Sequence, residues 1–130
     1  MFNTNSKMKA MLTAAMLATV PAVPALAHHS FAMYDNAKDV TFDGTVRSFR
    51  WANPHGQIIL TTMRDGKPID YAIELSSLNV MSRAGWTRKS IVIGERMKAT
   101  VHPLRDGSDG GSFVSAVKAD GSVLRSAAPR

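Results

Sequence analysis

The chain has no cysteine. If it is exported, disulfides are excluded, so packing or a bound ligand must supply stability. Long apolar stretches are missing after the first two dozen residues, which leaves no later segment able to span a bilayer. Acidic residues are few, 10 against 16 Lys and Arg, and the formal net charge is +6. The sequence contains no phosphate-binding glycine loop, no H-E-x-x-H and no recognisable Ser-His-Asp arrangement. It shows no internal repeat. These absences remove the common hydrolase and nucleotide-binding classes and leave a small domain whose chemistry must come from other residues.

The beginning of the chain has the layout of a secretory signal. Lys7 and Lys9 form a basic start, an apolar run extends from Ala10 to about Val23, and Ala25 and Ala27 satisfy the A-x-A cleavage pattern. The run is too short to cross a bilayer, and Pro21 and Pro24 break it. The expectation is removal of residues 1–27 and export to the periplasm. Loss of Lys7 and Lys9 lowers the formal charge from +6 to +4. That is an ordinary basic surface, or one drawn to anionic polymers and membrane surfaces. In an envelope compartment no nucleic-acid partner is expected.

The remaining ~100 residues suit one small core. Residues 28–39 read as a polar arm that Phe31, Met33 and Tyr34 could pin to the core. Strand patterns follow at Val40–Phe49, with Gly44 as a bulge or sharp bend, at Gln57–Met63 and at Ile69–Leu75. Asp65-Gly66 supplies the hairpin turn between the second and third. Ser76-Ser77 suggests the cap of a short helix carrying Leu78, Met81 and Ala84 and stopped by Gly85. Glu95–Val101 and Phe113–Val117 read as the fourth and fifth strands, the loop between them being polar and glycine-rich. Val123 and Leu124 add a short pairing, and residues 126–130 a frayed tail. Three strands, a helix and two strands predict an all-β domain with one short helix: a small OB-fold-like five-stranded barrel over residues 40–125. Another small barrel or sandwich is the alternative.

All four histidines follow the cleavage point: His28, His29, His55 and His102. Cleavage after Ala27 gives His28 a free amine beside its imidazole, a pair that chelates metal. In the OB order His55 falls in the loop between strands one and two, and His102 at the loop between strands four and five, which flank the ligand face of such barrels. Neutral imidazoles suit copper, zinc or nickel, and copper heads the divalent affinity series. His28, His55 and His102, with His29 as substitute, therefore form a candidate copper-type site. Each histidine also has a plain structural reading: solvated at the terminus, or bonded to a backbone carbonyl at a turn or strand end. A metal-free site would draw instead on Arg50, Trp51, Asn53, Glu74 and Arg105. Trp51 and Trp86 could stack a ligand or cap the core. Asp106 and Asp109 resemble a calcium loop in composition, without the full ligand run.

Several pieces together resemble a known family: His28 through Asp35, Gly44-Thr45-Val46, Trp51-Ala52-Asn53-Pro54-His55, Glu74, Gly85-Trp86, and His102 through Gly107. The chain resembles small exported proteobacterial proteins grouped as a domain of unknown function. The resemblance covers nearly all of the chain after residue 27. It implies a periplasmic β-barrel and no established activity. The functional expectation is a periplasmic binding protein with a copper site for carriage, sequestration or delivery. The alternative is a metal-free module for a glycan, an anionic small molecule or an envelope protein partner. A histidine-brace oxidoreductase ranks third, because no separate acid-base pair is evident. Amino-terminal sequencing of the exported protein is expected to read His-His-Ser; a start that leaves no histidine at the first position removes the free-amine chelate.

Overall fold

The computed structural model describes residues 31–126, except the side chain of Phe31. The expected signal peptide, His28, His29 and residues 127–130 lie outside the described residues. The elements are a 3-10 turn at Phe31–Met33 and strands β1 (Val40–Arg50), β2 (Gln57–Arg64) and β3 (Lys67–Glu74). Helix α1 (Leu78–Arg83) follows, then β4 (Arg96–Pro103), β5 (Gly110–Lys118) and β6 (Val123–Arg125). Among the described residues no helix is long and apolar enough to cross a membrane.

The strand order is β3-β2-β1-β4-β5-β6, and a parallel pairing of β3 with β5 closes the first five into a barrel. The long β1 makes closure possible by serving two neighbours. Val40–Thr45 pairs with β4 and Thr45–Arg50 with β2. The sequence points to Gly44 as the irregular position, whereas the register slips between Val46 and Ser48, which makes Arg47 the extra residue. An extra residue bends and twists a strand, as passage from one neighbour to the next requires. Gly44 serves close approach: a Cβ there would lie 3.1 Å from the Thr61 carbonyl oxygen and 3.2 Å from Leu60 Cβ.

Period-2 alternation sends Val46, Ile58, Leu60, Ile73, Met97, Ala99, Val101 and Phe113 into one core. Each large aliphatic buried there contributes roughly 1.5–3 kcal/mol relative to exposure. Asp65 and Gly66 both take positive φ, 52° and 74°, as a tight β2–β3 hairpin demands. Trp86 is buried, stands edge-on to Phe113 at 5.2 Å, and donates its indole N–H to the Arg125 carbonyl at 3.0 Å. It is thus a core cap and not a stacking platform. Helix α1 differs from expectation at its start. Ser77 occupies the cap position without a side-chain bond, and Asn53 Oδ1, from the β1–β2 loop, accepts the Leu78 N–H at 3.0 Å. Ser126, expected in the tail, donates its N–H to the Val114 carbonyl at 2.9 Å.

The fifth strand begins three residues earlier than its apolar pattern suggests. Gly110 and Gly111, which read as loop, are buried and paired with Ala72 and Ile73 of β3. A Cβ on Gly111 would fall 2.7 Å from the His102 carbonyl oxygen and 2.8 Å from Val101 Cγ2. Closure therefore needs a residue without a side chain. Gly111→Ala is expected to destabilise the domain by about 1–3 kcal/mol through overpacking. A urea-unfolding midpoint equal to that of the wild type would show that the closure point has slack.

Candidate functional site

Because core and wall residues alternate, the neighbours of Ile58, Ile73, Val101 and Phe113 point outward. Cross-strand register lines these up: Arg50 faces Gln57, Gln57 faces Glu74, Glu74 faces Ser112, and Ser112 faces His102. One circuit of the outer wall thus starts at the end of β1 and returns beside its beginning, where His102 meets Asp39. Every side chain in this row is polar. Strands lie about 4.8 Å apart, which puts Glu74 and His102 backbones roughly 10 Å apart with Ser112 between them.

The arm lies on this wall. Tyr34 bridges to Leu104, Asp35 N–H bonds the Pro103 carbonyl at 2.8 Å, and Arg105 N–H bonds the Met33 carbonyl at 2.9 Å. Tyr34 is only 4% exposed, yet it stands apart from the barrel core cluster. Its hydroxyl donates to Glu74 Oε2 at 2.8 Å, so the ring crosses from the β4 side to β3. The other carboxylate oxygen, Oε1, lies 3.5 Å from His55 Nδ1, which is also 3.3 Å from the Leu75 carbonyl. Burial, then the hydrogen bond to Glu74 and its negative charge, push the Tyr34 phenol well above its ordinary pKa. Tyr34 is therefore a fixed donor and no base. Arg50, Pro54, His55, Gly56, Gln57 and Glu74 line a shallow hollow of about 250 Å³. A larger hollow of about 550 Å³ lies away from every described histidine, around Phe42–Thr45, Thr61–Met63 and Arg96.

His102 has the same pattern as His55 with different partners. Its Nδ1 lies 2.9 Å from the Lys38 carbonyl and 3.1 Å from Asp39 Oδ1. With Nδ1 carrying the proton, each neutral ring presents an unprotonated Nε2. Neither Nε2 has a hydrogen-bond partner among the described residues. His55, in the β1–β2 loop, and His102, on β4, thus belong to separate pairs. Among the described residues no three His, Cys, Asp or Glu gather into a metal-holding group.

The other expected residues fall as follows. Arg50 joins the hollow. Trp51 packs edge-on against Phe49 at 5.9 Å and is half-buried. The oxygen of Asn53 is committed to α1. Arg105 clamps the arm, bonding the Ala32 carbonyl through Nε at 3.1 Å and approaching Asp35 at 3.8 Å. Lys38, bonded to Asp35, holds that carboxyl below its usual pKa, with Arg105 adding to the effect. Asp106 spends its carboxylate on Ser108, and Asp109 pairs with Arg64 at 2.6 Å, so neither oxygen set is idle. The sequence does not signal Asp39, Ser112 or the Tyr34–Glu74 bond. Only the register brings them together.

The fold and this site define a small OB-like barrel with a polar outer band beneath its own amino-terminal arm. A family model described as a family of unknown function (DUF6152) matches residues 16–113, and the chain belongs to that family. No curated protein and no solved structure matches the chain.

Burial also raises the Tyr71 phenol, so both tyrosines of the chain titrate late in the folded state. The unfolded chain loses these protons near pH 10 while the folded one keeps them, so stability is full below that pH and falls as pH rises past it. Tyr34→Phe is expected to cost about 0.5–1.5 kcal/mol at neutral pH. It should also flatten the alkaline decline, leaving the part due to Tyr71. Equal alkaline slopes for wild type and variant in chemical denaturation would refute the assignment.

Proposed function

We propose that the protein is a periplasmic metal-binding protein whose copper-type site joins the amino terminus to the barrel wall. The observation that carries this reading is the common tethering of the two described histidines. In each, a backbone carbonyl bonds Nδ1, a carboxylate oxygen stands 3.5 or 3.1 Å from it, and Nε2 has no partner among the described residues. Metal-binding imidazoles are oriented in this way by outer partners that fix tautomer and ring direction. The described residues supply one imidazole at each pair, so the remaining ligands come from the processed terminus: the amine and ring of His28, with His29 as substitute.

Reach supports this. Five residues lie between His28 and Tyr34; with the 3-10 turn at Phe31–Met33 rising ~2 Å per residue and the rest up to ~3.3 Å, they span roughly 16 Å at most, and the Tyr34 hydroxyl already touches the partner of His55. An amine with two or three imidazoles is a nitrogen set that suits Cu(II) or Cu(I). The role is carriage, sequestration or delivery. A second reading follows from the hollow that holds Arg50 and His55: a metal-free site for an anionic small molecule or a glycan.

Copper titration of protein beginning at His28 is expected to show binding tighter than micromolar. His55→Ala should weaken it at least tenfold, and retention of Ala27 should do the same by blocking the amine. Binding weaker than micromolar, or affinity indifferent to both changes, would overturn the metal reading. Ligand binding that survives loss of His28 but not of Arg50 would establish the second.

A further inference from the structure

Glu74 touches both the arm and the β1–β2 loop. Its two oxygens are divided between them, Oε2 to Tyr34 and Oε1 to His55. We propose that Tyr34 and Glu74 are positioning residues: docking of the arm orients His55, and metal capture at His55 in turn clamps the arm. The second half rests on the metal reading above; the first half does not.

A carboxylate on a strand can turn about its side-chain bonds, and at 27% exposure Glu74 is only partly confined by packing. The Tyr34 hydroxyl removes much of that freedom by fixing one oxygen at 2.8 Å, which leaves the other 3.5 Å from His55 Nδ1. His55 needs such a guide. It sits in a loop, its side chain is 36% exposed, and among the described residues its Nδ1 is otherwise held by a single hydrogen bond, 3.3 Å long, to the Leu75 carbonyl. The guide itself depends on the arm, which is held by the Asp35–Pro103 and Arg105–Met33 backbone bonds and by the Arg105 side chain. If His28 and His55 share a metal, two links then join the arm to the same loop: one through the metal and one through Tyr34 and Glu74. Two links between the same bodies reinforce each other, and the coupling is reciprocal by thermodynamic necessity.

The test uses the full processed chain as wild type, Tyr34→Phe and Glu74→Gln, first without metal. Amide exchange at Asp35 and Arg105 reports arm docking, ring 15N shifts of His55 report its tautomer, and exchange at Leu60 checks that the barrel remains folded. Both variants should speed exchange at Asp35 and Arg105 about tenfold or more, leave Leu60 unchanged, and turn the single His55 tautomer into a mixture. With copper, both should bind about 10–100-fold more weakly than wild type. Copper should slow arm exchange in the wild type far more than in Tyr34→Phe. Unchanged His55 ring shifts in the variants would reduce Tyr34 to a structural plug and overturn the proposal. If the wild type binds no copper while the metal-free effects appear, the metal reading fails and the positioning relay stands.

Discussion

The parallel contact between β3 and β5 is the constraint on which the rest of the molecule depends. It spans only Ala72–Glu74 against Gly110–Ser112. It is also where the His102 carbonyl and the Val101 side chain press against the Gly111 backbone, with no room for a Cβ. A wall closed at this offset carries the end of β1 round to meet its own beginning. The polar row from Arg50 to His102 is a direct product of that offset. A different register would rotate alternate residues into the core and dissolve the row.

The same closure explains why a charged group can sit half-buried on a barrel wall. Removing a carboxylate from water is costly unless its oxygens are bonded. The arm provides the bond through Tyr34, and the arm in turn is fixed by pairing alongside residues 103–105, at the end of β4. Its charges are arranged to keep it there: Asp35 between Lys38 and Arg105, and His102 against Asp39. An aromatic ring, a carboxylate and an imidazole from three distant parts of the chain are thereby brought together, the ring bonded to the carboxylate and the imidazole 3.5 Å from it. Strand β6 lies outside this system and extends the sheet past β5.

Legibility of the site in the sequence followed the range of the interactions. Glu74 stands out as an isolated acid on a strand, and His55 as a histidine in a turn-forming Asn-Pro-His stretch, because composition and local pattern reveal both. That they meet depends on Glu74 ending β3 opposite Gln57 at the start of β2, which hairpin register sets. Tyr34 is recognisable as an anchor for the arm, since a large ring in a polar stretch must find cover. Its partner, 40 residues away, is not recognisable. Asn53 and Arg105 read as ligand-binding residues, whereas the fold uses one to cap α1 and the other to fasten the arm. Polar side chains near a site serve backbone groups as readily as ligands, and sequence pattern cannot separate the two uses.

By itself the sequence determined the strand count, the place of the helix, the Asp-Gly hairpin and the alternating core, because these arise from local propensity and a period of two. It also determined that the histidines follow a signal-like segment. The tertiary structure alone decided the closure point, the bulge at Arg47, the early start of β5 at Gly110 and the separate partners of His55 and His102. Each of these depends on the distance between backbones that are remote in the chain. Such distances are set by how five twisted strands close on one core, and no residue records them locally.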